Sequence, residues 1–477
     1  MLRFKVILGY SRLLIGIAGA LFIPPSITAI IYRESPLPFI FPSLLCLFSA
    51  FLIGKFVKGE EEEISLRESF LLVSAGWFIF SFLGALPYLL HNFSFTDALF
   101  ESTSGFTTTG ATIIENIEAQ PKSLLFWRSF SQWIGGMGII VLFIAIFPKL
   151  SVGGRQLFSA EVPGPSYEKF KPRIRETAKS LWIVYFILSA AEFSLLILFG
   201  MHPYEALLHT FSTMSTGGFS PLSSSIGGYS PIIQLIVIVF MMLAGASFVL
   251  HYRALMTSKF EYRRDEEFRV YILLLLIFTL LVSIILSSSG VPLFKALLMS
   301  AFQVVSIMTT TGFTTADFNS WPDGARMILF FLMFIGGCAG STAGALKVVR
   351  FTVILKYAVN ELRRGVHPRA VLSIRVGGRV VNETVMTSIL SILILYFLLF
   401  AISSAILSIL GYDLVTSLSA VAASLGNVGP GLGLVGPSES YAFLHPLAKL
   451  VLSFCMIAGR LEVLPVLILL YPKFWRE

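Results

Sequence analysis

Ten apolar runs, each of about 20 residues and so long enough as a helix to cross a hydrocarbon core of roughly 30 Å, constrain this chain more than any other feature. Eight of them, Leu13–Tyr32, Ser35–Gly54, Ser69–Leu90, Ser129–Pro148, Tyr229–Leu250, Val270–Phe294, Met327–Leu346 and Thr384–Tyr412, hold no Asp, Glu, Lys or Arg. Two more, Leu181–Gly200 and Leu450–Pro472, carry charge only at Glu192 and at Arg460 with Glu462. Charged residues make up 13% of the 477, against about 25% in soluble proteins, so little is left over for a soluble domain. The expectation is an all-α polytopic membrane protein surrounded by membrane lipids.

The net charge of +8 follows topology. Basic residues gather in alternate connections: Arg3, Lys5 and Arg12; Lys55 and Lys58; Lys149 to Lys179; Arg253 to Arg269; Lys347 to Arg379. The positive-inside rule places these on the cytoplasmic side. They form no single basic face, and no nucleic-acid partner is expected. Cys46, Cys338 and Cys455 lie in apolar runs at unrelated spacings, which suggests packing rather than disulfides or a metal cluster. At the N-terminus, basic residues precede an apolar run that Pro24-Pro25 interrupts with no convincing cleavage site, which reads as a retained signal anchor.

The connections poor in Lys and Arg hold a repeat. Its copies are Thr108-Thr109-Gly110, Ser215-Thr216-Gly217, Thr310-Thr311-Gly312 and Asn427-Val428-Gly429, with glycines 107, 95 and 117 residues apart. Asp97-Ala98-Leu99, Glu205-Ala206-Leu207 and Lys295-Ala296-Leu297 each begin a short apolar segment leading into its copy; Asp413-Leu414-Val415 lacks the Ala-Leu pair. Thr96 or Asp97 and Asp413 suit a helix cap, while Pro203 and Pro292 suit a first helical position. Each segment is too short to span the membrane, so it must enter and return. Irregular backbone at that depth is tolerated only where it is buried or lines water. The chain therefore divides into two N-terminal helices (1–66) and four helix–pore loop–helix repeats in a pseudo-fourfold arrangement around one pore: 67–150 with filter 108–112, 151–258 with filter 215–219, 259–360 with filter 310–314, and 361–477 with filter 427–431.

A dehydrated cation needs oxygens in place of water, and stacked backbone carbonyls supply them. Glycine permits the φ values that turn consecutive carbonyls one way without a Cβ clash. Thr and Ser add a hydroxyl at the inner end, and the short helices aim partly negative C-termini at the ion. With Asn427 in the fourth copy, the hydroxyl ring is expected to be incomplete.

The stretches Glu101-Ser-Thr-Ser-Gly-Phe-Thr-Thr-Thr-Gly-Ala-Thr112, Ser212-Thr-Met-Ser-Thr-Gly-Gly-Phe-Ser220, Met308-Thr-Thr-Thr-Gly-Phe-Thr-Thr315 and Leu425-Gly-Asn-Val-Gly-Pro-Gly431 resemble the Trk/Ktr/HKT superfamily of K⁺ transporters, most closely its TrkH-type membrane subunits. The resemblance covers essentially the whole chain, including the two helices before Ser69. It implies K⁺ as the transported ion, with no organic cofactor, carried by uptake through a selective pore in the cytoplasmic (inner) membrane of a prokaryote with the filter facing outside. Serine at the first filter glycine goes with Na⁺ preference in some plant members; Gly110 is glycine here. It also implies a homodimer docked on a cytosolic nucleotide-binding ring of TrkA type.

Within Met327–Leu346, the stretch 336–345, with Gly336, Gly337, Gly340, Ser341, Thr342 and Gly344, is too rich in glycine and hydroxyls for a regular helix. Close helix packing through small residues is the alternative. The resemblance implies an intramembrane gating loop beneath the filter, with Ala343 or Ala345 where relatives often carry another glycine. Arg460 sits deep in the last run, where a charge needs water or a partner. Pairing with Glu462 or a pore-helix C-terminus is one reading; the resemblance implies a pore-facing arginine that raises the barrier to K⁺.

An intramembrane enzyme is not indicated, because the six histidines are scattered without metal or acid–base spacing. A carrier, including a K⁺/H⁺ or K⁺/Na⁺ symporter using the same filter, would favour paired inverted repeats and a midplane ion pair. The basic connections serve topology or dock a partner. No nucleotide fingerprint occurs, so nucleotide control would reside in that partner.

Overall fold

The computed structural model of the chain describes residues 3–56, 65–146, 174–256, 260–368 and 372–476. Among the described residues the regular elements are helices, apart from one hairpin, Arg375–Val376 paired with Arg379–Val380. Among the described residues, six helical stretches are long and apolar enough to cross a membrane: Phe4–Ile31, Leu37–Lys55, Arg67–Leu90, Lys179–Leu198, Glu266–Ser288 and Val385–Ile409. A further 25-residue helix, Lys122–Ile146, carries the run that begins at Ser129. Most of the basic connection 149–179 lies outside the described residues.

The ten runs do not become ten straight helices. Tyr229–Leu250 splits into Pro231–Ala244 and Phe248–Met256, bent by 95°, and the last run falls on Pro446–Arg460 and Leu464–Leu470, bent by 118°. Met327–Leu346 leaves its helix after Leu332 and stays irregular until Val348. Hydropathy registers composition and is blind to such breaks. Close backbone approach or a turned φ marks the breaks: a methyl on Gly337 would lie 2.4 Å from the Gly245 carbonyl oxygen, and Glu462 and Val463 take φ values of 58° and 68°.

Four short helices descend between these spans: Phe95–Phe106, Pro203–Met214, Leu293–Met308 and Leu414–Leu425. At 1.5 Å per residue they are about 18–24 Å long, less than the bilayer core. Their starts differ in detail from expectation. Ser94, not Thr96 or Asp97, caps the first, accepting the Asp97 N–H at 3.3 Å, and Pro292 is the cap residue of the third rather than its first helical residue. Pro203 and Asp413 occupy the expected positions, Asp413 accepting the Thr416 N–H at 3.0 Å. Lys449, on Pro446–Arg460, reaches Asp97 at 2.5 Å and ties that helix to Phe95–Phe106.

Candidate ion filter

All four pore helices end in the same way. The helix stops at Phe106, Met214, Met308 or Leu425, one more residue keeps a right-handed conformation, and the next, Thr108, Thr216, Thr310 or Asn427, turns to a φ of 54–57°. Two backbone bonds close each end: Thr108 N to Gly105 O (3.0 Å) and Thr109 N to Ser104 O (2.9 Å) in the first copy, Asn427 N to Ser424 O (3.2 Å) and Val428 N to Ala423 O (2.8 Å) in the fourth. This is a Schellman closure, which usually places glycine or asparagine at the left-handed position. Asn427 fits that preference, whereas the three threonines are held there, fully buried, by their surroundings.

Two residues on, glycine is obligatory. Gly110, Gly218, Gly312 and Gly429 have φ between 76° and 98°. A methyl on Gly110 would lie 2.2 Å from the Gly217 oxygen, on Gly218 2.0 Å from Thr311 O, on Gly312 2.1 Å from Val428 O, and on Gly429 2.6 Å from Thr109 O. Each glycine thus abuts the carbonyl that precedes the equivalent glycine of the next repeat, and the fourth closes on the first. Four segments surround one axis, and their glycines line one open cavity on one side of it.

The ring corrects the register of the second copy. Its equivalent glycine is Gly218, and Ser215, Thr216 and Gly217 match Thr107, Thr108 and Thr109 of the first copy. Gly217 is small for another reason: a methyl there would lie 2.4 Å from Cδ of Gln132, whose Nε2 donates to Gly217 O (2.7 Å) and whose Oε1 accepts from Phe219 N (3.1 Å). The Gly-Phe dipeptides Gly218-Phe219 and Gly312-Phe313 are the sequence signal that would have set this register.

Side chains at the ring differ between repeats. Hydroxyl pairs Thr107–Thr109 (2.8 Å) and Thr309–Thr311 (2.7 Å) brace the first and third copies, where the second has Ser215 and Gly217 and the fourth Gly426 and Val428. Asn427 donates from Nδ2 to Thr109 Oγ1 and to Met456 O, both at 2.9 Å. Tyr441 donates to Gly429 O at 2.8 Å. Buried beside the glycine-lined cavity is an ion pair absent from the sequence reading, Arg128 Nε to Glu101 Oε1 at 2.7 Å. Glu101 also accepts from Thr112 Oγ1 and Ile113 N, and the Arg128 guanidinium lies 4.1 Å from the Phe219 ring centre. Arg128 lines the same cavity as the four glycines, and Glu101 neutralises its charge there. Farther out, Glu118 accepts from Ser223 N and Oγ, both at 2.7 Å; partial burial pushes its carboxyl upward, and these bonds prevail and hold it below the usual carboxylate range.

Beneath the ring lies the Gly-rich stretch. Gly336 N donates to Leu346 O (2.8 Å) and Cys338 N to Gly245 O (2.8 Å), so the break in Pro231–Met256 receives the loop. Gly344 N donates to Thr310 Oγ1 (2.7 Å), a methyl on Gly344 would lie 2.5 Å from Gly426 O, and Thr342 Oγ1 donates to Met214 O (3.1 Å). The loop therefore abuts the inner ends of the second, third and fourth segments. Ala345 has a φ of 49°, which glycine would adopt without strain. Arg460 completes the circuit, donating to Thr342 O (2.6 Å) and to Gly135 O and Gly136 O (3.0 Å each). Glu462 bonds Arg350. Arg460 thus bonds loop and helix carbonyls and lines the inner cavity with Gly340, Ala343, Gly344 and Lys347.

Residues 43–477 match the family model described as TrkH, cation transport protein. The chain is 40% identical over 487 residues to the Trk system potassium uptake protein TrkH of Vibrio parahaemolyticus and 39% identical over 490 residues to TrkH of Escherichia coli K12, each covering 100% of both chains. It is 35% identical to the Trk system potassium uptake protein TrkG of Escherichia coli K12, over 99% of each. The crystal structure of the potassium transporter TrkH from Vibrio parahaemolyticus superposes with a TM-score of 0.91 at 38% identity, covering all of both chains.

Proposed function

The chain belongs to the TrkH family of cation transport proteins, and we propose on that premise that it takes up K⁺ through the four-segment ring, closed from within by the Gly-rich loop and Arg460. The closed circuit of four glycine–carbonyl contacts carries this reading, because it brings Thr109, Gly217, Thr311 and Val428 carbonyls around one axis. K⁺ is the cargo, held by the filter oxygens. The repeats 67–150, 151–258, 259–360 and 361–477 each contribute one segment. The basic connections favour an orientation with the filter outward in the cytoplasmic membrane of a prokaryote. A homodimer docked on a TrkA-type nucleotide-binding ring is the assembly we infer. In support, the helix Val348–Val366 exposes an apolar stripe, Leu355, Val359, Leu362 and Val366, at heptad spacing.

Purified protein in liposomes, assayed for K⁺, Rb⁺ and Na⁺ flux, tests the filter. K⁺ and Rb⁺ pass and Na⁺ is held back; Gly110→Ser lowers the K⁺ over Na⁺ ratio about tenfold, the size expected for strain at a left-handed position. Equal passage of all three ions in both proteins would sink the filter reading. Flux that stops without an H⁺ or Na⁺ gradient would assign symport. Arg460→Ala removes a positive charge and three bonds to loop and helix carbonyls. A unit charge at roughly 10 Å and an effective dielectric of about 20 opposes a cation by about 1–2 kcal/mol, so K⁺ flux rises about tenfold. Unchanged or lower flux at equal protein density speaks against the barrier.

A further inference from the structure

We propose that the adjacent carboxylates Glu266 and Glu267 form a clasp through which the cytosolic helix–hairpin unit sets the position of the Gly-rich loop. This rests on the reading of that loop as a gate, and its test separates the two.

Both residues lie in the first turn of Glu266–Ser288, whose cap Asp265 accepts the Phe268 N–H at 2.8 Å. Glu267 Oε1 accepts from Ala339 N at 2.7 Å and from Val349 N at 3.0 Å. Ala339 belongs to the loop and Val349 to the first turn of Val348–Val366. That helix has no side-chain cap of its own, since Lys347 at its cap position supplies none, so Glu267 from a neighbouring helix satisfies one of its free N–H groups. One oxygen thereby holds the loop and the following helix together.

Glu266 points the other way along the same turn. Its Oε2 accepts from Gly377 N at 2.7 Å, at the tip of the hairpin, and its Oε1 bonds Lys356 Nζ. Lys356, on Val348–Val366, also donates to Arg375 O at 2.7 Å. Hairpin, helix and loop are thus tied to two consecutive side chains. An apolar cluster joins the same parts: Ala339 of the loop, Val349 and Val353 of the helix, Val376 of the hairpin, and Met386 and Ile389 of the next span. A displacement of the hairpin or of Val348–Val366 by anything bound on the cytosolic side must pull on these bonds or break them. The apolar contacts then carry the movement to Ala339, five residues before Gly344, which touches Thr310.

Two readouts on one protein test this. Ala343→Cys, placed in a background lacking Cys46, Cys338 and Cys455, reports loop position by its rate of labelling with a water-soluble maleimide in proteoliposomes, and K⁺ flux reports the gate. Glu267→Ala raises labelling about tenfold, the change expected when two hydrogen bonds to a buried acceptor are lost, and raises flux with it. Glu267→Gln keeps an acceptor oxygen and gives a smaller rise. Lys356→Met also raises labelling, although its bonds run to Glu266 and Arg375; a purely local role for Glu267 would leave that variant as wild type. Labelling that rises while flux stays constant keeps the clasp and overturns the gate. Unchanged labelling in Lys356→Met overturns the link to the hairpin, and unchanged labelling in all three variants overturns the clasp. If Glu267→Ala does not fold, the Gln and Met variants decide.

Discussion

Gly218→Ala lowers K⁺ uptake about a hundredfold, because an L residue held in the left-handed region costs of order 1–3 kcal/mol and its methyl must also displace a filter carbonyl. The methyl would lie 2.0 Å from Thr311 O at a φ of 76°, and both partners are backbone inside a closed ring, so no neighbouring side chain can relieve it. Gly217→Ala meets a different obstacle, the Gln132 amide at 2.4 Å, which is the end of a flexible side chain. Adding Gln132→Ser to Gly217→Ala therefore restores uptake about tenfold over the single variant, within the usual range of coupling between touching residues. The same addition to Gly218→Ala restores nothing. Rb⁺ uptake in cells or proteoliposomes measures all four proteins, and rescue of Gly218→Ala by Gln132→Ser would undo the register proposed for the second segment.

Arg128→Ala destabilises the protein by about 3–5 kcal/mol, the penalty for leaving the other member of a buried ion pair uncompensated. Glu101 is fully buried, and the bonds that remain to it, from Thr112 Oγ1 and Ile113 N, supply no positive charge. The pair also positions the first and second segments, since Arg128 Nη1 donates to Ser220 O at 3.3 Å. Replacing both partners with neutral residues of similar size, Glu101→Gln with Arg128→Met, recovers most of the stability, because breaking such a pair is worse than removing it. Thermal unfolding in detergent followed by size-exclusion chromatography measures both variants against the wild type. A loss below about 1 kcal/mol for Arg128→Ala would place the pair among solvated ones.

The membrane class and the four re-entrant segments were legible in the sequence because both depend on short-range properties. Run length against bilayer thickness announces a span, and a Thr/Ser-x-Gly step after a short apolar segment announces a helix that stops and turns back. The glycines and hydroxyls of 336–345 announced a break on the same grounds, and the arrangement of Arg460 against carbonyls fulfils the general demand that a buried charge find partners.

What the tertiary structure decided is which backbone meets which. The Gly-Phe step hints at which of Gly217 and Gly218 is the ring glycine, but it is ring closure that sets Gly218 against the Thr311 carbonyl and Gly217 against Gln132. The break at Gly245 is silent in hydropathy, since the run Tyr229–Leu250 carries no charged residue on either side of it, and is seen only when Cys338 donates to it. Glu101 with Arg128, and Glu267 with Ala339 and Val349, join positions 27, 72 and 82 residues apart. These pairings need a single repeat to fold back on itself, whereas the glycine–carbonyl ring needs the closure of four unequal repeats around one axis. That closure is a property of the whole chain, and no single segment of it carries the instruction.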